Sequence, residues 1–370
     1  MNKTKTNSIS DIDVTIAGVL ARSVDIPLEF PVQTSVGLVA TAPLVLIDIT
    51  TSNGVVGHAY LFTYTPMALR AMRELVQALG NALVGQPLAP VQLDALLSQR
   101  LRLLGKTGLA LMACSGLDMA AWDALARHHR LPLATLLGAT PRPVPAYDSH
   151  SMEGLKVGVT RAARARDEGY RAIKTKIGYP TLAEDIEVVR ALRKTIGDDM
   201  ELMVDYNQSL SIPEAVRRIH ALQGEGVSWV EEPTLQDDWK GHAAIRRKAG
   251  LPIQMGENWC GIEEMSKALD ADACDLAMPD AMKIGGVTGW LRAAALAKAR
   301  NMPMSSHLMH EITTHLMLVT PTAHWLERME QAGPILRQPQ RFVDGNAIPA
   351  DEPGSGVAWD EDAVTRYLAN

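Results

Sequence analysis

Asp205, Glu231 and Glu257 stand 26 residues apart, and each closes a short, largely apolar run (Leu202-Met-Val, Trp229-Val, Ile253-Gln-Met-Gly). Three carboxylates repeated in this way offer an oxygen-only ligand set. Such a set suits a hard cation such as Mg²⁺, with water or substrate oxygens completing the shell. Singly, each acid would read as solvated or ion-paired; at a shared spacing they read as one metal site. Asn207, two residues past Asp205, is suited to orienting a substrate, whereas Glu232 alternates to the other strand face and reads as structural. Upstream, Lys174 and Lys176 also lie two apart, hence on one strand face. Neighbouring ammonium groups disfavour double protonation, which predicts at least one pKa lowered toward the range of a working base. A Schiff-base lysine is another use of such a residue, though it would not need three carboxylates alongside. Downstream come Asp280 and His307, a pairing in which the carboxylate fixes the imidazole tautomer and raises its basicity. Glu327 closes the series and is expected as a protonated acid donating to a substrate oxygen. His310 and Lys283 are less defined; Lys283 reads as structural or ligand-anchoring.

The elements that position these residues follow from the spacing. Successive apolar runs ending in a functional residue recur every 20 to 29 residues from Lys174 to Glu327, the length of one strand–helix unit in a (β/α) barrel. There, residues at the C-terminal ends of strands face a common mouth. The first barrel strand is predicted at Val144 to Asp148, leading to Ser149. Ahead of it, Asp13 to Ser23, Ala42 to Thr50 and Val55 to Phe62 read as strands, the last two joined at Ser52-Asn53-Gly54. Helical patterns follow at Pro66 to Val84, Pro90 to Arg100 and Gly108 to His129. The apolar stretch Ile26 to Val39, with Val32, Val36 and Val39, is a loop packed on the core or a lid over a small-molecule site. Pro132 to Pro145 is the expected domain boundary. The chain thus divides into a capping unit at 1–140, a barrel at 141–330 and a C-terminal segment at 331–370 that packs back on the cap. In that last segment, Pro334 to Pro353 reads as loop, Gly356 to Asp360 as a strand and Glu361 to Leu368 as a helix.

Composition excludes several function classes. A formal net charge of −6 with no basic stripe argues against a nucleic-acid partner. Residues 1–10 form a polar tail whose basic residues lack the apolar core of a secretory signal, and no run of about 18 apolar residues predicts a membrane span. Three cysteines at unrelated spacings read as buried thiols in a reducing cytoplasm. Gly105-Lys106-Thr107 lacks the preceding glycine of a phosphate loop, so nucleotide binding there is rejected.

The segments around these residues resemble the enolase superfamily, mandelate racemase subgroup, over nearly the whole chain. The match lies in Lys174-Thr-Lys176-Ile-Gly-Tyr-Pro, Val204-Asp205-Tyr-Asn207-Gln-Ser, Glu231-Glu-Pro-Thr, Met255-Gly-Glu257-Asn-Trp, Pro279-Asp280-Ala-Met-Lys-Ile-Gly-Gly, Ser305-Ser-His307-Leu and His324-Trp-Leu-Glu327-Arg. A Lys or His base beside Mg²⁺ is a known device of that superfamily. The resemblance implies an α/β fold: a modified (β/α)7β TIM-type barrel under an N-terminal α+β capping domain. It also implies one Mg²⁺ on Asp205, Glu231 and Glu257, with Lys176 acting on the (S)-enantiomer and His307, paired with Asp280, on the (R)-enantiomer. Glu327 becomes the electrophilic acid, with Lys174, Asn207 and Ser149 as polar partners. Val32, Val36 and Val39, with Phe62, Tyr64 and Leu103, become the wall of an aryl pocket, and the assembly a homo-octamer. Asp280 stands where the muconate-lactonising branch has a Lys, which favours the racemase and acid-sugar-dehydratase branch. Gln33, Lys106 and Met329 depart from the racemase pattern near the pocket. The expected function is racemisation of a small 2-hydroxy carboxylate, mandelate or an aryl analogue, through an enolate. Dehydration of a sugar acid is the alternative.

Overall fold

The computed structural model describes residues 14–369; the polar segment 1–10 and Asp13 lie outside that range. The chain folds as α/β, a capping domain followed by a barrel of parallel strands and helices. In the cap, strands β1 (Ile16–Gln33), β2 (Leu38–Thr51) and β3 (Val56–Phe62) form an antiparallel sheet in that order. Helices α1 (Pro66–Asn81), α2 (Pro90–Arg100) and α3 (Gly108–His128) follow. Central strand β2 is apolar on both faces, and Leu44, Val45, Leu46 and Ile47 are fully buried. Gly57 of β3 lets α3 press onto the sheet, since a Cβ there would lie 2.3 Å from the Ala120 carbonyl oxygen. By length and hydropathy α3 could cross a membrane, yet 83% of its most apolar stretch is buried inside the protein. It is the core helix on which the cap is assembled.

The stretch Ile26–Val39 is mostly strand where loop was expected. It continues β1 and β2 as one long hairpin, with a register break between Pro27 and Val32 and further pairing of Val32 with Val39 and Gln33 with Leu38. Thr34 Oγ1 accepts the N–H groups of Val36 and Gly37 at 3.1 and 3.0 Å and so closes the turn. Apolar Ile26, Leu28, Phe30 and Val32 fall at every second position, the period of a strand.

The barrel runs in parallel through β4 (Val144–Ser149), β5 (Ala172–Lys176), β6 (Glu201–Asp205), β7 (Val227–Glu231), β8 (Ile253–Met255) and β9 (Leu276–Ala277). Strand β10 (Leu326–Arg328) closes it against β4. The segment leading to His307 is no full strand: Met304 makes single bridges to Ala277 and Ala323. Ser305 and Ser306 still donate N–H groups to Ala277 and Trp325 carbonyls, at 2.9 and 3.0 Å, and carry the barrel wall across the gap.

In the C-terminal segment, a hairpin of β11 (Arg341–Val343) and β12 (Asn346–Ile348) sits where loop was expected, and extends the sheet at Val144 and Pro145 of β4. The strand expected at Gly356–Asp360 reduces to one bridge between Trp359 and Leu336, and the helix forms at Glu361–Tyr367. Trp359 donates its indole N–H to Asp48 of the cap at 2.6 Å. Cap and barrel are tied directly as well: Asp118 of α3 accepts the N–H and hydroxyl of Thr288 at 2.9 and 2.5 Å, capping the barrel helix Gly286–Ala299.

Candidate active site

Asp205 ends β6, Glu231 ends β7, and Glu257 follows β8 by two residues. All three are buried, and each offers an oxygen within 4.8 Å of those of the others. This donor set fits a divalent oxygen-seeking cation. Burial, with Asp205 and Glu257 beside it, pushes the Glu231 carboxyl up to about 8 against the pull of Lys174. Mutual repulsion of that kind is what a bound divalent ion relieves.

Lys176 reaches Asp205 Oδ2 at 2.5 Å from the β5 side. Lys174 sits deeper, fully buried, 2.7 Å from Glu231 and 3.0 Å from Glu327. The lowered lysine pKa expected from an ammonium pair is not found. Burial alone would lower both groups, but Glu231 and Glu327 hold Lys174 well above the usual lysine value, and Asp205 holds Lys176 above it. The nearest neighbour of each ammonium is a carboxylate, not the other ammonium. Asn207, just past the strand end in left-handed backbone (φ 44°), donates its N–H and side-chain amide to Asp205 at 2.7 and 2.9 Å.

On the opposite flank, His307 Nδ1 lies 2.7 Å from Asp280, whose other oxygen accepts the Met282 N–H. His307 Nε2 lies 3.1 Å from Glu257. Burial disfavours the imidazolium, but Glu257, Glu327 and Asp280 outweigh it and lift His307 to about 10. Glu327 differs from the expected protonated acid. Burial would raise its carboxyl, yet Lys174, His307 and the Leu308 N–H bring it down to about 2. That N–H reaches Glu327 at 3.0 Å because Leu308 and Met309 both adopt left-handed backbone, φ 50° and 49°.

A cavity of about 500 Å³ lies above these groups. Lys176, Asn207, Glu257, His307 and Glu327 form its floor; Val32, Val36, Val39, Phe62, Tyr64, Leu109, Met112 and Met329 line its roof and sides. The hairpin tip thus borders this cavity on the side opposite the charged groups. Leu103 does not join the wall of this chain's cavity: the turn between α2 and α3 turns it fully to solvent. Leu109 and Met112, near the start of α3, occupy that side instead. Ser149 is buried beside Lys174 in the β4–β5 register, its Oγ without a protein partner, and faces a smaller adjoining cavity of about 240 Å³. Lys106 borders neither cavity; it pairs with Asp94 and Ser98.

One hub was not anticipated. Asn258 donates to Glu232 at 2.8 Å and to Glu257 at 3.2 Å, while its oxygen accepts from Lys283 at 2.7 Å. Lys283 in turn lies 4.3 Å from the Tyr64 ring centroid, tying the barrel edge to the cap. Glu232, at φ 33°, thus supports the site's rim from a strand end where simple alternation fails. The position of Asn258 directly after Glu257 was the available signal.

Comparison with known proteins places this geometry. The family described as Enolase C-terminal domain-like matches residues 158–363, and that of the mandelate racemase / muconate lactonizing enzyme N-terminal domain matches 16–138. The 3,6-anhydro-alpha-L-galactonate cycloisomerase of Streptomyces coelicolor is 33% identical over 327 residues, 87% of this chain and 91% of the relative. An enolase from Bradyrhizobium, solved with magnesium and mandelic acid, is 45% identical with a TM-score of 0.94, covering 98% of this chain and 100% of its own. L-Talarate dehydratase from Polaromonas, solved with Mg and L-glucarate, is 27% identical with a TM-score of 0.87, covering 97% and 98%. With both domains matched and the carboxylate triad at the barrel mouth, the chain belongs to the mandelate racemase / muconate lactonizing group of the enolase superfamily.

Proposed function

We propose that this chain is a Mg²⁺-dependent racemase of a 2-hydroxy carboxylate bearing an apolar substituent, mandelate or a close aryl analogue. The carrying observation is the flanking of the triad: Lys176 approaches its first member in strand order, Asp205, and His307 its last, Glu257, beneath an apolar roof. Mg²⁺ on Asp205, Glu231 and Glu257 supplies positive charge against the negative charge that accumulates on a carboxylate when its α-proton leaves. Lys176 takes or returns that proton on one face, and His307, steadied by Asp280, does so on the other. Lys174 lies deeper, where its ammonium pairs with the substrate carboxylate and fixes its plane, and Glu327, 3.0 Å away, holds that ammonium in position; Asn207 keeps Asp205 in place. Val32, Val36 and Val39 exclude water above the reacting carbon.

A second reading is favoured by relatives named for cycloisomerisation and dehydration of sugar acids. Its support within the cavity is the polar set Thr34, Gln208, Asn258, Lys283 and Gln331 along the rim. The same proton abstraction would then be followed by loss of a β-hydroxyl. Incubation of (R)- and (S)-mandelate in D₂O with enzyme and Mg²⁺, followed by ¹H NMR and polarimetry, separates the two. Loss of the α-proton signal together with rotation supports racemisation. Inertness toward mandelate, with 2-keto products from a sugar-acid panel, replaces it by dehydration. The proposal includes a homo-octamer, which light scattering would read directly; the exposed Met67, Leu103 and Leu104 supply apolar surface for assembly.

A further inference from the structure

Outside the triad, a second group of ligating side chains converges: His310, Glu311 and Glu330, with one donor atom from each within 4.8 Å of the others. His310 and Glu311 open the helix His310–Leu318 and are 2% and 3% exposed; Glu330 follows β10 and is exposed. Each carboxylate has one oxygen fixed and the other available. Glu311 Oε2 accepts the Tyr60 hydroxyl at 2.6 Å, while its Oε1 has no hydrogen-bond partner. Glu330 Oε1 accepts the N–H groups of Gln331 and Gly333 at 2.9 and 2.7 Å. Both ring nitrogens of the buried His310 lack a hydrogen-bond partner. Its Nε2 stands 3.2 Å from Glu311 Oε1, an ion pair when the ring is protonated and, when it is neutral, a separation suited to two atoms sharing one ion. Phe342 packs edge-on at 5.4 Å between ring centroids and fixes the imidazole.

We propose that His310, Glu311 and Glu330 form a second cation site, separate from the triad, that takes a borderline divalent ion such as Zn²⁺. One imidazole nitrogen and two carboxylate oxygens leave a position for water on the exposed Glu330 side, and the nitrogen selects against Mg²⁺. Tyr60, Gln331 and Gly333 act as outer-shell partners that hold the carboxylates in ligating orientation. The ion would join three pieces of the fold: cap strand β3 through Tyr60, the helix after His307, and the segment after Glu327. Two of its ligands lie three residues from a group of the mouth, so occupancy would stiffen the segments that hold His307 and Glu327.

The test uses the full-length enzyme held in millimolar Mg²⁺, with Zn²⁺ as the probe, read by equilibrium dialysis with metal analysis and by anomalous diffraction at the zinc edge. One equivalent of Zn²⁺ per chain is expected, with its peak between His310 and Glu311. Affinity for that equivalent falls by at least about tenfold in Glu330→Gln and further in His310→Gln. Should the buried His310→Gln fail to fold, the exposed Glu330→Gln carries the test alone. A peak only at Asp205, Glu231 and Glu257, no peak at all, or unchanged affinity in Glu330→Gln would each overturn the proposal.

Discussion

The floor and the roof of the active-site cavity are built on opposite principles. On the floor, Lys174, Asp205, Glu231 and Asp280 are fully buried, and Glu327 is 1% exposed, each held by charged or backbone partners. On the roof, Val36 is 70% and Leu38 60% exposed, and the hairpin tip from 32 to 39 carries no ionisable side chain. A buried, mutually bonded set cannot change one member without stranding another's charge, whereas an exposed apolar tip can change freely. On the proposed function the contrast is a division of labour, with chemistry in the floor and selection in the roof.

The largest effect tests the floor. EDTA treatment or Glu257→Gln is expected to lower kcat by roughly a thousandfold or more for either enantiomer, followed by polarimetry; residual turnover near the wild-type rate would mean the triad is not the electrostatic centre. Next, His307→Asn and Lys176→Ala should each cut racemisation by about 10³-fold. In D₂O, His307→Asn is expected to keep α-proton exchange with the (S)-enantiomer and lose it with the (R), and Lys176→Ala the reverse. Symmetrical loss in both variants would remove the division of labour between the flanks.

A smaller effect, read by pH, tests the packing behind the floor. His315, in the helix behind the mouth, accepts the Ala134 N–H on Nδ1 at 3.2 Å, and burial lowers it to about 4. The unfolded chain, with His near 6.5, then binds the proton more tightly. Stability is therefore complete above that value and is lost as pH falls toward 4. Unfolding in urea should show a loss of roughly 2 kcal/mol between about pH 7 and pH 5, reduced in His315→Gln; equal pH dependence in both proteins would refute the assignment. Smallest is the roof. Val32→Ser should lower kcat/KM for an aryl substrate by about tenfold, through KM, while hardly touching a short aliphatic hydroxy acid. A fall in kcat with KM unchanged would place the hairpin in the chemistry.

The same division governs what the residues alone could tell. Asp205, Glu231, Glu257, Lys174 and Lys176 were legible because strand ends repeat at a fixed interval and alternation sets the face. Asp280 and His307 were legible as a pair even though the wall beneath His307 is made of isolated bridges rather than a strand. Protonation was not legible. Which carboxylate meets which ammonium depends on distances across the barrel: each lysine meets a carboxylate, and Glu327 meets Lys174, neighbours that favour the charged forms. Nor was the orientation of Leu103, since exposure in a turn leaves no periodic trace. The role of Asn258 escaped because its side-chain bonds to Glu232 and Lys283 depend on backbone that leaves the strand's alternation at Glu232 and Gly256.

The register break between Pro27 and Val32 has an engineering consequence. It acts as a joint: below it, the hairpin is committed to the cap sheet through Ile26 paired with Ala42, and above it only the Val32–Val39 and Gln33–Leu38 pairs remain. A tip from another family member can be spliced in above that joint with little disturbance to the sheet below. On the proposed function the stretch 28–39 is thus a transplantable part, provided the replacement keeps the bonds of Ser35 to the Tyr206 carbonyl and of Gln33 to the Met152 N–H.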